Sequence, residues 1–115
     1  MKSIPGPQTR VLVVDDDAGL LLSIKATIAS SGLPEPALVS DSRMVLDLVR
    51  TQNFHLLLLD LIMPNVGGME ILKQVKEEFP TIECIIVTAV DDVSSAVQAM
   101  KYGAFDYLVL SLIHI

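Results

Sequence analysis

His55-Leu56-Leu57-Leu58-Leu59-Asp60-Leu61-Ile62-Met63-Pro64-Asn65-Val66-Gly67-Gly68 is an apolar run that ends in a carboxylate and then breaks into a Pro/Gly loop. Four consecutive leucines show no polar alternation, so residues 55–60 read as a strand buried on both faces of a sheet. Asp60, the last residue of the run, carries a charge to the edge of the core. Burying a lone carboxylate is costly, so Asp60 requires a metal, another cation or a solvent-filled cleft beside it.

On either side of this stretch, short apolar runs alternate with helical patterns. Residues 10–14 form a β-branched strand that stops at Asp15-Asp16-Asp17. Residues 18–31 turn helical, with Leu20, Leu21, Ile24 and Ile28 on one face, Asp17 as N-cap and Gly32 as the residue after the C-cap. A weak strand centres on Ala37-Leu38-Val39. A second helix follows, capped by Ser40 or Ser42 and striped by Met44, Val45, Leu48 and Val49. Downstream of the leucine run, residues 69–79 form a helix striped by Ile71, Leu72, Val75 and Phe79, and Pro80 stops it. Residues 82–88 form a strand. Asp91 or Asp92 opens a fourth helix with Val93, Ala96, Val97 and Met100 at helical spacing, and Gly103 closes it. A fifth strand starts at Asp106. Strict alternation of helices with apolar strands predicts a parallel sheet covered on both faces.

Composition fits one such domain. The chain has 115 residues, 51% of them hydrophobic, enough to bury a core. Fourteen acidic against eight basic side chains leave a net charge of −6, which argues against nucleic-acid contact by this segment. The single cysteine, Cys84, excludes an internal disulfide framework and fits a reducing compartment as a small core residue. No stretch approaches the ~20 apolar residues of a membrane helix, and residues 1–8, broken by Pro5-Gly6-Pro7, are no secretory signal. A cytoplasmic protein without membrane contact is expected, with residues 1–9 as a flexible leader.

In an open α/β sheet all strands end at one edge, where ligands bind. The polar residues that follow the apolar runs therefore converge: Asp15 and Asp16 after the first strand, Asp60 after the third, and Thr88 after the fourth. Three carboxylates at such range repel, so a hard cation must neutralise them or some must hold their protons. Oxygen ligands without His or Cys select Mg²⁺ or Mn²⁺. Magnesium takes one or two carboxylates and a phosphate oxygen, so the pocket suits phosphoryl chemistry. His55 has no partner at ligand spacing and reads as structural or exposed. Gly67-Gly68 is too short to cradle a phosphate.

Val13-Val14-Asp15-Asp16, Leu59-Asp60-Leu61-Ile62-Met63-Pro64 with Gly68, Val87-Thr88-Ala89 and Gly103-Ala104-Phe105-Asp106-Tyr107 together resemble the receiver domain of two-component response regulators. The resemblance implies a flavodoxin-like doubly wound parallel sheet in the order 2-1-3-4-5. It implies a signalling module rather than an enzyme, in which Asp60 accepts a phosphoryl group from a histidine kinase or phosphotransfer protein. Asp16, Asp60 and the backbone carbonyl of Ile62 would bind Mg²⁺ directly, with Asp15 acting through water. Thr88 would hydrogen-bond the phosphoryl oxygens, and Tyr107 would be the aromatic that turns inward with it. An output domain in the full-length protein is a further implied partner.

The resemblance covers residues 10–109 and then fails. Where the family has Lys-Pro, this sequence has Leu110-Ser111, and residues 110–115 carry neither caps nor an amphipathic stripe in place of the family's last helix. The pattern is read as a C-terminally truncated receiver with its last helix missing and a tail of doubtful origin. The alternative is a phosphate-independent pseudo-receiver that has lost the phosphate-pairing lysine. A Mg²⁺-dependent phosphohydrolase, the remaining class, would want a second carboxylate two residues after its nucleophile, and Ile62 stands there. Ile62 and Val90 would give the pocket an apolar rim.

Overall fold

The computed structural model describes residues 9–61, 63, 65–89 and 92–110. The expected leader therefore lies outside the described residues except for Thr9, and so does the tail beyond Leu110; Ile62, Pro64, Val90 and Asp91 are outside them too.

Chain order is β1 (Val11–Val14), α1 (Ala18–Ser30), β2 (Ala37–Val39), a 3₁₀ turn (Ser42–Met44), α2 (Val45–Thr51), β3 (Leu56–Asp60), α3 (Gly68–Glu78), β4 (Glu83–Ala89), α4 (Val93–Lys101) and β5 (Asp106–Leu110). The five strands form one parallel sheet in the order β2-β1-β3-β4-β5. That is the doubly wound order expected. Its switch point lies between β1 and β3, the strands that deliver Asp15 and Asp60.

One face of the sheet carries the larger core. Leu12, Val14, Leu57, Leu59, Cys84 and Ile86 are buried there against Ile71, Leu72 and Val75 of α3. The α3 stripe thus reads as the 3.6 period requires. Burial pushes the Cys84 thiol up to about 11, so this residue behaves as an apolar filler.

The other face is thinner. Val11, Val13 and Leu21 are buried there, with Ile24, Ile28, Leu38, Leu56 and Leu58 packed alongside. Among the described residues, α1 alone contributes helical side chains to this cluster. The leucine run is therefore buried on one face only: Leu57 and Leu59 are fully enclosed, whereas Leu56 and Leu58 are half-buried.

Two further details depart from the periodicity. The turn before α2 is capped by Asp41, whose carboxylate accepts from the Arg43 N–H at 3.0 Å, rather than by Ser40 or Ser42. Met44 accordingly falls on the solvent side. In α4 the buried residues are Ala96 and Ala99, while Val97 and Met100 are exposed. Two alanines let the helix backbone approach the sheet closely, and that contact sets its rotation in place of the larger side chains.

Asp17 caps α1 as expected, its carboxylate accepting from the Leu20 N–H at 3.1 Å. Gly32 follows the helix at φ +91°, the left-handed region glycine adopts without cost. Asp17→Ala is expected to lower the unfolding free energy by about 1 kcal/mol, measured by urea denaturation. An unchanged midpoint would show that the cap contributes nothing.

Candidate functional site

β1 and β3 are neighbours in register, Val14 beside Leu59, so the residues that follow them emerge side by side at the C-terminal edge. One carboxylate oxygen from each of Asp15, Asp16 and Asp60 lies within 4.8 Å of the others. Their burial is graded. Asp15 is buried, Asp60 half-buried and Asp16 exposed, so the cluster forms a funnel with its charge deepest at Asp15.

Asp15 is held firmly. Its Oδ1 accepts from the Asp17 N–H at 2.9 Å, and its own N–H donates to the Val39 carbonyl at 3.2 Å. Burial pushes its carboxyl above the usual carboxylate range, and the charges of Asp16 and Asp17 push the same way, against the Asp17 N–H and a hydrogen bond with Asp60. Such a cluster favours anything that supplies positive charge to three oxygens. The donor set is all oxygen and carboxylate-rich, which fits a hard divalent cation of the Mg²⁺ or Mn²⁺ type.

Thr88 stands on β4, next to β3, where Asp60 pairs with Val87. It is buried, and its hydroxyl donates to the Asp92 carbonyl at 3.3 Å across the start of α4. Tyr107 on β5 pairs with Ile86, and Val109 pairs with Thr88. Tyr107 and Thr88 are therefore diagonal neighbours on one face of the sheet. Tyr107 is half-buried against the larger core. The structure thus gathers Asp15, Asp16 and Asp60 in one cluster with Thr88 on the adjoining strand, and sets Tyr107 one pair further back. Ile62, expected to offer its carbonyl, lies outside the described residues, as does Val90.

The loop after Asp60 closes on itself. Gly68 donates its N–H to the Leu61 carbonyl at 3.1 Å, and a Cβ on Gly68 would overlap the Asp60 carbonyl oxygen and come within 2.6 Å of Leu61 Cα. Gly68 is therefore required by close approach, since its φ is not in the left-handed region.

Two residues escaped the sequence reading. Ser42, expected as a cap, is instead buried with its hydroxyl accepting from the Val66 N–H at 3.1 Å. No motif signals this, because the partner lies 24 residues away. Asp92, expected to open α4, makes no side-chain cap bond, and its Oδ2 is buried without a hydrogen-bond partner among the described residues. His55 is exposed, its Nδ1 accepting from the Arg10 N–H at 2.9 Å, which is a structural role.

The model of the response regulator receiver domain matches residues 11–110. The transcriptional regulatory protein ZraR of Klebsiella oxytoca is 38% identical over 107 residues, covering 93% of this chain and 24% of its own length. The DNA-binding transcriptional regulator NtrC of Klebsiella pneumoniae is 38% identical over 96 residues, covering 84% and 20%. The chain thus spans at most about a quarter of the length of these curated relatives. Among solved structures, a response regulator receiver domain protein from Clostridium thermocellum is 33% identical with a TM-score of 0.81, covering 88% of this chain and 81% of that one. The receiver domain of the Francisella response regulator 1452 is 28% identical with a TM-score of 0.80, covering 89% and 84%.

Proposed function

Since the chain belongs to the response regulator receiver domain family, we propose that Asp60 accepts a phosphoryl group from the phosphohistidine of a histidine kinase or phosphotransfer protein. The observation that carries this reading is the grouping of Asp15, Asp16 and Asp60 oxygens within 4.8 Å at the strand ends. A carboxylate oxygen of Asp60 attacks phosphorus as the P–N bond breaks. An acyl phosphate forms on Asp60, and the departing imidazole nitrogen takes a proton from solvent.

Mg²⁺, when bound, offsets the negative charge between the carboxylate and the incoming phosphoryl group. Asp15, Asp16 and Asp60 are the residues that would hold it, with the carbonyl of Ile62. The hydroxyl of Thr88 donates to the Asp92 carbonyl at 3.3 Å, a long contact that a phosphoryl oxygen can replace. Such a differential contact is what a two-state switch requires, with Tyr107 as the neighbour that responds. An output domain in a longer protein fits the relatives, which are transcriptional regulators.

The test is labelling with a small phosphodonor, acetyl phosphate or phosphoramidate, read by intact mass. The wild-type chain is expected to gain an alkali-labile phosphoryl adduct that EDTA and Asp60→Asn both abolish. An adduct that persists in Asp60→Asn would overturn the assignment. A second reading, a phosphate-independent interaction module, is favoured by one feature: Leu110, paired with Ala89 at the end of β5, occupies the position of the family's lysine. A wild-type chain that takes no label from either donor would decide for it.

A further inference from the structure

Ser42 is a buried polar residue that the phosphoacceptor reading leaves unused, and it reaches the loop that leaves Asp60. Its side chain is 5% exposed, and its hydroxyl accepts from the Val66 N–H at 3.1 Å. Val66 lies between β3 and α3, in the loop whose base is closed by the Gly68 N–H on the Leu61 carbonyl. The loop is thus tied at its base and again at Val66, two residues before α3.

The anchor on the other side of that bond is rigid. Ser42 begins the 3₁₀ turn, where the Asp41 carboxylate accepts from the Arg43 N–H and the Met44 N–H donates to the Asp41 carbonyl, both at 3.0 Å. Val45, which follows the turn, is fully buried in the larger core. On the loop, Asn65 holds φ +69°, the left-handed region. Asparagine enters this region more readily than most non-glycine residues, so the turn that leads to Val66 is one its own sequence supports.

We propose that Ser42 is a positioning residue for the divalent-cation site: its hydroxyl fixes the loop that leaves Asp60, and so fixes how Asp60 meets Asp15 and Asp16. The inference rests on the reading of this cluster as a Mg²⁺ site. Without the hydroxyl, the Val66 N–H loses this acceptor and the chain at Val66 can shift while the base of the loop stays closed. Outer partners of this kind orient ligands and tune affinity without touching the ion.

The test uses Mn²⁺ as the probe, with free Mn²⁺ read by electron paramagnetic resonance on the whole chain. Ser42→Ala is expected to raise the Mn²⁺ dissociation constant about tenfold and to speed hydrogen exchange at the Val66 amide. Asp41→Asn, which removes the ion pair with exposed Arg43 but keeps an oxygen to accept from the Arg43 N–H and leaves the Ser42 hydroxyl in place, is expected to leave the constant unchanged. If alanine does not fold, Ser42→Cys, whose thiol is a weak acceptor, is expected to weaken Mn²⁺ binding in its place. Wild-type affinity in a folded Ser42 variant, or equal weakening by Asp41→Asn, would overturn the proposal. A wild-type chain that binds Mn²⁺ but takes no phosphoryl label overturns the phosphoacceptor reading alone, whereas one that binds no Mn²⁺ overturns both.

Discussion

Alanine at position 68 is expected to lower the unfolding free energy by about 3 kcal/mol or more, and to weaken divalent-cation binding along with it. Elsewhere in a helix, alanine in place of glycine gains about 0.5–1 kcal/mol through backbone entropy. Here that gain is overwhelmed, because the new methyl group would meet the Asp60 carbonyl oxygen and the Leu61 Cα. These are main-chain atoms of the last residue of β3 and of the residue after it, so no side-chain rotation relieves the overlap. The start of α3 must move away from β3, which strains the Gly68 N–H to Leu61 carbonyl bond and loosens the packing of Ile71 and Leu72, both buried against the sheet. A domain of this size is typically stable by only about 5–15 kcal/mol, so the loss is a large share of the total. Urea denaturation measures it. A midpoint equal to wild type would show that the backbone relaxes freely here, and would remove the reason for glycine.

The contrast between Gly68 and Ser42 shows what the chain makes legible. A parallel sheet and the convergence of Asp15, Asp16, Asp60 and Thr88 follow from local pattern, since apolar runs end in polar residues and parallel strands end at one edge; the strand order came with the family resemblance. Burial of Leu58 does not follow, because it depends on which helices cover that face; α1 alone does so among the described residues. Nor does the rotation of α4, where Ala96 and Ala99 win the sheet contact over Val97 and Met100. Alanine and valine differ little in pattern, but the distance of closest approach favours the smaller residue. Ser42 illustrates the limit. A serine before a helical stripe signals a cap, and only the return of the chain at Val66 gives its hydroxyl a different partner.

Asp15→Asn is expected to stabilise the metal-free protein at neutral pH while removing most of its response to Mg²⁺. Burial raises the Asp15 carboxyl above its ordinary value of 3.8, and the charges of Asp16 and Asp17 add to the rise. The folded state therefore holds this proton more tightly than the unfolded chain does. The contribution of such a group is fully present below the unfolded value and is lost as pH rises through the raised folded value. Above that raised value the wild-type chain carries a buried charge in place of the proton. Asparagine does not titrate, and its Oδ1 can keep the bond from the Asp17 N–H. The melting temperature without metal is therefore expected to rise at pH 7. The difference from wild type should shrink toward zero as pH falls below 4. Added Mg²⁺ reverses the ranking: a ligand that binds only the folded state stabilises it in proportion to RT ln(1 + [L]/Kd), and the variant has lost a carboxylate from the cluster that would hold it. Melting curves at several pH values, with Mg²⁺ and with EDTA, measure both effects. If Asp15→Asn melted below wild type in EDTA at pH 7, the carboxylate would be serving the fold, and the charge cluster would not be a cost the fold bears for a cation.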